Sequence, residues 1–134
     1  MKIKPNLQFS VLCDDVRRED NGKFILIGLF EAISAKKFPA THPVVFVANR
    51  WCKGSGEFTQ RIRIVSSRDN SIVFQTDEQD FELADIDRHH TLISRFNNIA
   101  FPNAGKYWVE VLLDGELVIN YPVILNEAKE PKRE

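Results

Sequence analysis

The chain has 134 residues, 43% hydrophobic and 28% charged, with a formal net charge of −1. This length is enough for one domain with a core that needs no disulfide. The balanced charge excludes a chain drawn to nucleic acid or an anionic membrane by its overall field. Residues 1–5 lack the apolar run of a signal peptide, and no stretch approaches a membrane span. The expectation is a cytoplasmic protein with Cys13 and Cys52 reduced, both in apolar strand patterns and read as small buried hydrophobes.

Residues 7–16 alternate, with Leu7, Phe9, Val11 and Cys13 on one side. Charge follows in Asp14, Asp15, Arg17, Arg18, Glu19 and Asp20, and ends at Asn21-Gly22. Asn-Gly between strand patterns is a hairpin signal, and a two-residue loop would pair Cys13 with Phe30, Val11 with Ala32 and Asp15 with Gly28. The three-residue register would set Val11 against Glu31, so the two-residue loop is preferred. Residues 23–33 are apolar on both faces: Phe24, Leu26 and Phe30 on one, Ile25, Ile27, Leu29 and Ile33 on the other. Such a strand has to be covered twice. The outer row would be capped by Phe81, Leu83 and Ile86 or buried in a dimer.

Pro39 and Pro43 interrupt the pattern and argue against a central strand there. Residues 44–51 read as the third long strand. Residues 57–66 read as a strand with one wet face, Ile62 and Ile64 alternating with Arg61 and Arg63. A short strand follows at residues 72–74. The acidic stretch 77–90 has no firm period and fits a helical turn or an edge strand, and residues 89–100 return to strand character. Residues 101–125 form a second hairpin around Asp114-Gly115. A two-residue loop would set Val109 opposite Asn120. A three-residue loop, Leu113-Asp114-Gly115, would set Val111 opposite Leu117, Val109 opposite Ile119 and Tyr107 opposite Tyr121. The apolar pattern favours the latter.

These elements predict an all-β fold, an antiparallel two-sheet sandwich of seven to nine strands filling residues 1–126, with a charged tail over 127–134. Gly105-x-Tyr107-x-Val109 resembles the entry to the penultimate strand of immunoglobulin-like sandwiches, where a tyrosine hydroxyl anchors the preceding corner. Trp51 is similar to their core tryptophan, whereas their disulfide is absent. A narrower resemblance rests on Cys13-Asp14-Asp15-Val16-Arg17-Arg18-Glu19, on Asn21-Gly22-Lys23 with Leu26-Ile27-Gly28-Leu29-Phe30, and on the aromatic-Pro-x-x-Gly-x-Tyr entry from Phe101 to Tyr107 before the Asp-Gly hairpin. Together these resemble an uncharacterised family of small bacterial proteins. The resemblance implies a compact β-sandwich of unknown function, and it supplies no catalytic residue.

No motif marks a nucleophile with its base, a phosphate-binding glycine loop or a zinc set; His42, His89 and His90 and the cysteines lack ligand spacing. The reading is therefore a non-enzymatic interaction module without a cofactor, touching another protein or its own copy through Ile25, Ile27, Leu29 and Ile33. Nucleic-acid and membrane partners are not expected. A calcium or small-ligand alternative would use Asp14, Asp15, Glu19, Asp20, Asp77, Glu78 and Asp80, if their loops met at one end of the sandwich. Arg50, Arg61 and Arg63 form a further candidate, a basic face near Trp51 and Phe58.

Overall fold

The computed structural model describes residues 2–128. They form ten strands: β1 (Asn6–Arg18), β2 (Phe24–Phe30), β3 (Ala32–Ala35), β4 (Ala40–Cys52), β5 (Gly56–Ser66), β6 (Ile72–Gln75), β7 (Gln79–Leu83), β8 (His89–Phe101), β9 (Gly105–Leu113) and β10 (Glu116–Glu127). One sheet runs β2-β1-β4-β8; the other runs β3-β10-β9-β5-β6, with β7 also on β5. The fold is thus all-β in two sheets, and the parallel β3–β10 pair departs from the expected antiparallel pattern.

The core lies between the sheets. Leu12, Val45, Val47 and Phe96 from one meet Ile62, Ile64, Val109, Val123 and Leu125 from the other. A second cluster gathers Trp51, Phe58, Phe81, Leu83, Val111 and Leu113. Full burial of side chains such as Val109 and Val111 is worth about 1.5–3 kcal/mol each. The acidic stretch that had no period contributes β7, whose Phe81 and Leu83 are core residues while Ile86 is exposed. They are therefore not the cap over the outer row of β2.

A chain of amides crosses this core. The Gln60 Oε1 atom on β5 accepts from Trp51 Nε1 at 2.7 Å and from Asn49 Nδ2 at 3.0 Å, both on β4 of the opposite sheet. Its Nε2 donates to Gln79 Oε1 at 2.9 Å, and Gln79 Nε2 donates to Ser94 Oγ on β8 at 2.9 Å. Asn49 and Gln60 are fully buried. The chain contains no charge and ties β4, β5, β7 and β8 in one circuit.

Two sequence-based registers are corrected, one at each hairpin turn. At the first turn Arg18 faces Phe24, Glu19 N–H donates to Lys23 O, and Gly22 takes φ +88°, giving a three-residue Asp20-Asn21-Gly22 loop. Cys13 therefore faces Leu29, and Asp15 faces Ile27. The objection to this register disappears because β2 stops at Phe30 and the chain crosses to the other sheet as β3. There Ile33 is buried beside Leu125 and does not belong to the outer row. At the second turn Asp114 and Gly115 both take positive φ and Leu113 faces Glu116, a two-residue loop. A bulge at Val118 then shifts the register, so Ile119, Tyr121 and Val123 face Val111, Val109 and Tyr107. Pro43 lies inside β4, a central strand, at a point where β1 no longer pairs with it. Glu127, assigned to the tail from sequence, pairs with Ala35, and Ala128 N–H donates to Ala35 O. The rest of the expected tail lies outside the described residues.

Tyr121 links the sheets a second time: its hydroxyl and Ser10 Oγ on β1 are 2.8 Å apart. Burial pushes the Tyr121 pKa up to about 12 from its ordinary 10. The folded state favours the neutral phenol, so its contribution is complete below about pH 10 and is lost as pH rises from about 10 to about 12, amounting to about 2–3 kcal/mol. Denaturant titrations across that range should show this loss in the parent and not in Tyr121→Phe. Gln60→Leu should cost about 2–4 kcal/mol, because the Trp51 and Asn49 donors stay buried without an acceptor. Urea melts of Gln60→Leu and of Gln60→Leu/Asn49→Leu check this, with the pair expected to recover part of the loss.

Candidate functional site

The candidate site is the arm formed by the far half of β1 and by β2. Along β1 and its neighbours, Phe9, Arg50 and Thr91 face each other in one row. By strand alternation that row lies on the face turned away from Leu12 and Val47. Phe24 and Leu26, together with the tip residues Asn21 and Lys23, line the same cleft as Phe9, Arg50 and Thr91, about 570 Å³ in volume. Phe24 pairs with Arg18, nine residues from Phe9, a separation of about 30 Å along a straight strand. The arm therefore curls back over the outer face of its own sheet. Cys13 and Ala48, on that outer face by the same alternation, are fully buried.

The curl is built at Asp14 and Gly28. The β1–β2 ladder skips this pair, Gly28 takes φ +71°, and the Asp14 carboxylate occupies the space that a Cβ at Gly28 would need. A lone glycine within an apolar strand pattern is the signal that could have located the bend from sequence. Beyond it, Arg17 Nε donates to Asp15 Oδ2 at 2.7 Å, and the Arg18 guanidinium lies 4.5 Å from the centre of the Phe24 ring. The hydrogen bond from Arg17 holds the Asp15 carboxyl below its usual pKa, assisted by the Val16 N–H. The Cys13 thiol is pushed up by burial and then by the negative charges of Asp14 and Asp15, which keeps it protonated and unreactive at neutral pH.

Of the four outer-row residues expected from sequence, Ile25, Ile27 and Leu29 are 41%, 43% and 62% exposed, and only Ile33 is withdrawn into the core. The free edge of β2 between Phe24 and Phe30 carries neither charge nor proline. The acidic candidates are dispersed: Asp14, Asp15, Glu19 and Asp20 belong to the arm, and Asp77, Glu78 and Asp80 lie along β7 and the segment before it, in the other sheet. Among the described residues no group of three His, Cys, Asp or Glu could hold a metal ion. The basic face is divided as well. Arg50, on β4, donates to Thr91 Oγ1 at 3.0 Å, whereas Arg63 pairs with Glu110 and Arg61 lies on β5 of the opposite sheet. Consecutive strands of the chain do not share a sheet here, which is why the three arginines cannot act together. His42 lies by Phe30, and His90 Nδ1 is 3.2 Å from Glu82 O against the Phe81 ring.

Residues 8–126 match the model of a family of unknown function, DUF6941, and the chain belongs to that family. No curated protein matches it. Among solved structures, the Pseudomonas fluorescens alkylpurine DNA glycosylase AlkC bound to DNA containing an abasic site analog is similar over 72% of this chain and 28% of that one, with a TM-score of 0.52 and 12% identity. The chain thus spans less than a third of that enzyme, and the likeness is one of fold.

Gly28→Ala should lower stability by about 1–3 kcal/mol, since it combines a left-handed φ with a steric conflict at Asp14. Gly22→Ala, with open space around its Cβ position, should cost less. Denaturant melts of the two variants rank them, and Cys13 labelling should accelerate in Gly28→Ala as the arm loosens.

Proposed function

We propose that this member of a family of unknown function is a non-enzymatic, cytoplasmic interaction module whose arm docks another protein through Ile25, Ile27 and Leu29. The observation that carries the reading is the exposure of three large aliphatic side chains along one uncharged edge strand. Scattered exposed apolar residues are ordinary, but a row of them on an open edge is an aggregation hazard unless a partner covers it. The reading includes neither nucleic acid nor a membrane among its partners. It also takes the fold as an immunoglobulin-like variant. This is supported by Tyr107, whose hydroxyl donates to Asn103 O at 2.7 Å across the preceding corner, and by the fully buried Trp51.

A second reading, a small ligand seated in the cleft beneath the arm, is favoured by the cleft's volume and its mixture of Phe9 and Phe24 with Arg50 and Thr91. Calcium has no comparable support.

The triple variant Ile25→Ser/Ile27→Ser/Leu29→Ser should lower stability by about 1–3 kcal/mol, because Ile25 and Ile27 are only 41% and 43% exposed and lose part of their burial, and a urea melt checks that it stays folded. Capture from the native cell with parent and triple variant as bait should recover a protein that binds the parent alone. Equal recovery by both baits would remove the arm as the docking surface.

A further inference from the structure

The occupant of the arm is specified by what flanks it. The open edge Phe24–Phe30 is charge-free, and it is bracketed by Lys23 on one side and Glu31 on the other, both exposed and both without an ion-pair partner among the described residues. We propose that a second copy of this chain pairs with that edge, β2 against β2 in antiparallel orientation, with Ile27 on the two-fold axis.

In this register Lys23 of each copy lies opposite Glu31 of the other, Phe24 opposite Phe30, Ile25 opposite Leu29, and Ile27 opposite itself. Opposite charges close both ends, and every row between them is apolar, apart from Leu26 opposite Gly28. A two-fold interface must be self-complementary in this way, since one patch serves both subunits. Shifting the register by two residues in either direction places Lys23 opposite Leu29 or Ile33, losing the charge match.

The other open edges are blunted by devices that β2 lacks. The stretch of β10 before its pairing with β3 is broken by the bulge at Val118 and by Pro122, which has no N–H to donate. Of the remaining edges, β3 and β6 are four residues long, β7 carries the exposed Asp80 and Glu82, and β8 carries the exposed Arg95 and Asn97. Among the described residues β2 is the longest open edge strand free of charge and proline, with Gly28, at φ +71°, as its one irregular position.

This inference rests on the arm-docking reading and narrows it to one partner. Sedimentation velocity on the parent should show a concentration-dependent dimer by hundreds of micromolar. Lys23→Glu and Glu31→Lys, which each set like charges opposite one another, should each weaken dimerisation by about 10-fold. The double reversal should return it to within about 3-fold of the parent. Mild oxidation of Ile27→Cys should give a covalent dimer across the axis. The native Cys13 and Cys52 are both buried and supply little background. A parent that stays monomeric throughout, or a double reversal that fails to rescue, overturns the self-pairing. If the monomeric parent nevertheless binds a different protein that the triple serine variant does not, arm docking stands and the second copy is excluded. A dimer that survives the triple serine variant overturns the inference by locating the interface elsewhere.

Discussion

The carboxamide of Gln60 is the constraint on which the rest of the structure depends. It sits fully buried on β5 and meets three other side chains, two from β4 in the facing sheet and one from β7 beside it. A lone buried amide in this position would be costly, and the structure avoids the cost by giving the oxygen two donors and the nitrogen one acceptor. Those partners have fixed places on their strands. A slip of β4 against β5 would break two hydrogen bonds in the driest part of the molecule. The amide circuit therefore sets how one sheet lies on the other, which dispersion and apolar burial leave less sharply defined.

Much of this was legible from the pattern of residues, and the failures share one cause. Alternation identified the buried faces of β5 and β9, whereas the side carrying Arg61 and Arg63, expected to be wet, is only partly exposed. The corner contact of Tyr107 was implied by the resemblance of Gly105-x-Tyr107 to an immunoglobulin-like strand entry, and its hydroxyl donates to Asn103 O. What strand periodicity does not encode is where a strand leaves its sheet. Residues 23–33 read as one strand because no turn residue interrupts Leu29, Phe30 and Glu31. The chain nevertheless changes sheets there, and Ile33 moves from an expected surface to the core. The same limit explains the divided arginines, since β4 and β5 are adjacent in the chain but lie in different sheets. Both turns differ from expectation for a related reason: apolar pairing along a hairpin favours one loop length, while a bulge at Val118 and an early end to β2 provide that pairing by other means.

The candidate site combines a bend with an exposed edge. Gly28 lets the arm curl over Phe9 and Cys13, and the curl buries Phe24 and Leu26 partly while leaving Ile25 and Ile27 turned outward. Apolar residues on the two faces of β2 thus have separate surroundings, one row held against its own sheet and the other left exposed. The sequence showed the two apolar faces, but the inner contact depends on a bend whose one trace in the sequence is Gly28.

The parallel pairing of β3 with β10 has a consequence for how the chain is made. Ala32–Ala35 waits for Ile124–Glu127, a partner separated from it by more than half the sequence. During synthesis from the amino terminus, β1, β2 and β4 can associate early, but β3 has no neighbour in its sheet until the last described strand has emerged. Closing a loop of that length before its contacts are rewarded makes this junction a late event. The nascent protein therefore carries an open seam beside Ile33 through most of translation. A chain that ends before β10 can form its amino-terminal sheet while Ile33 and the rest of β3 have no partner strand.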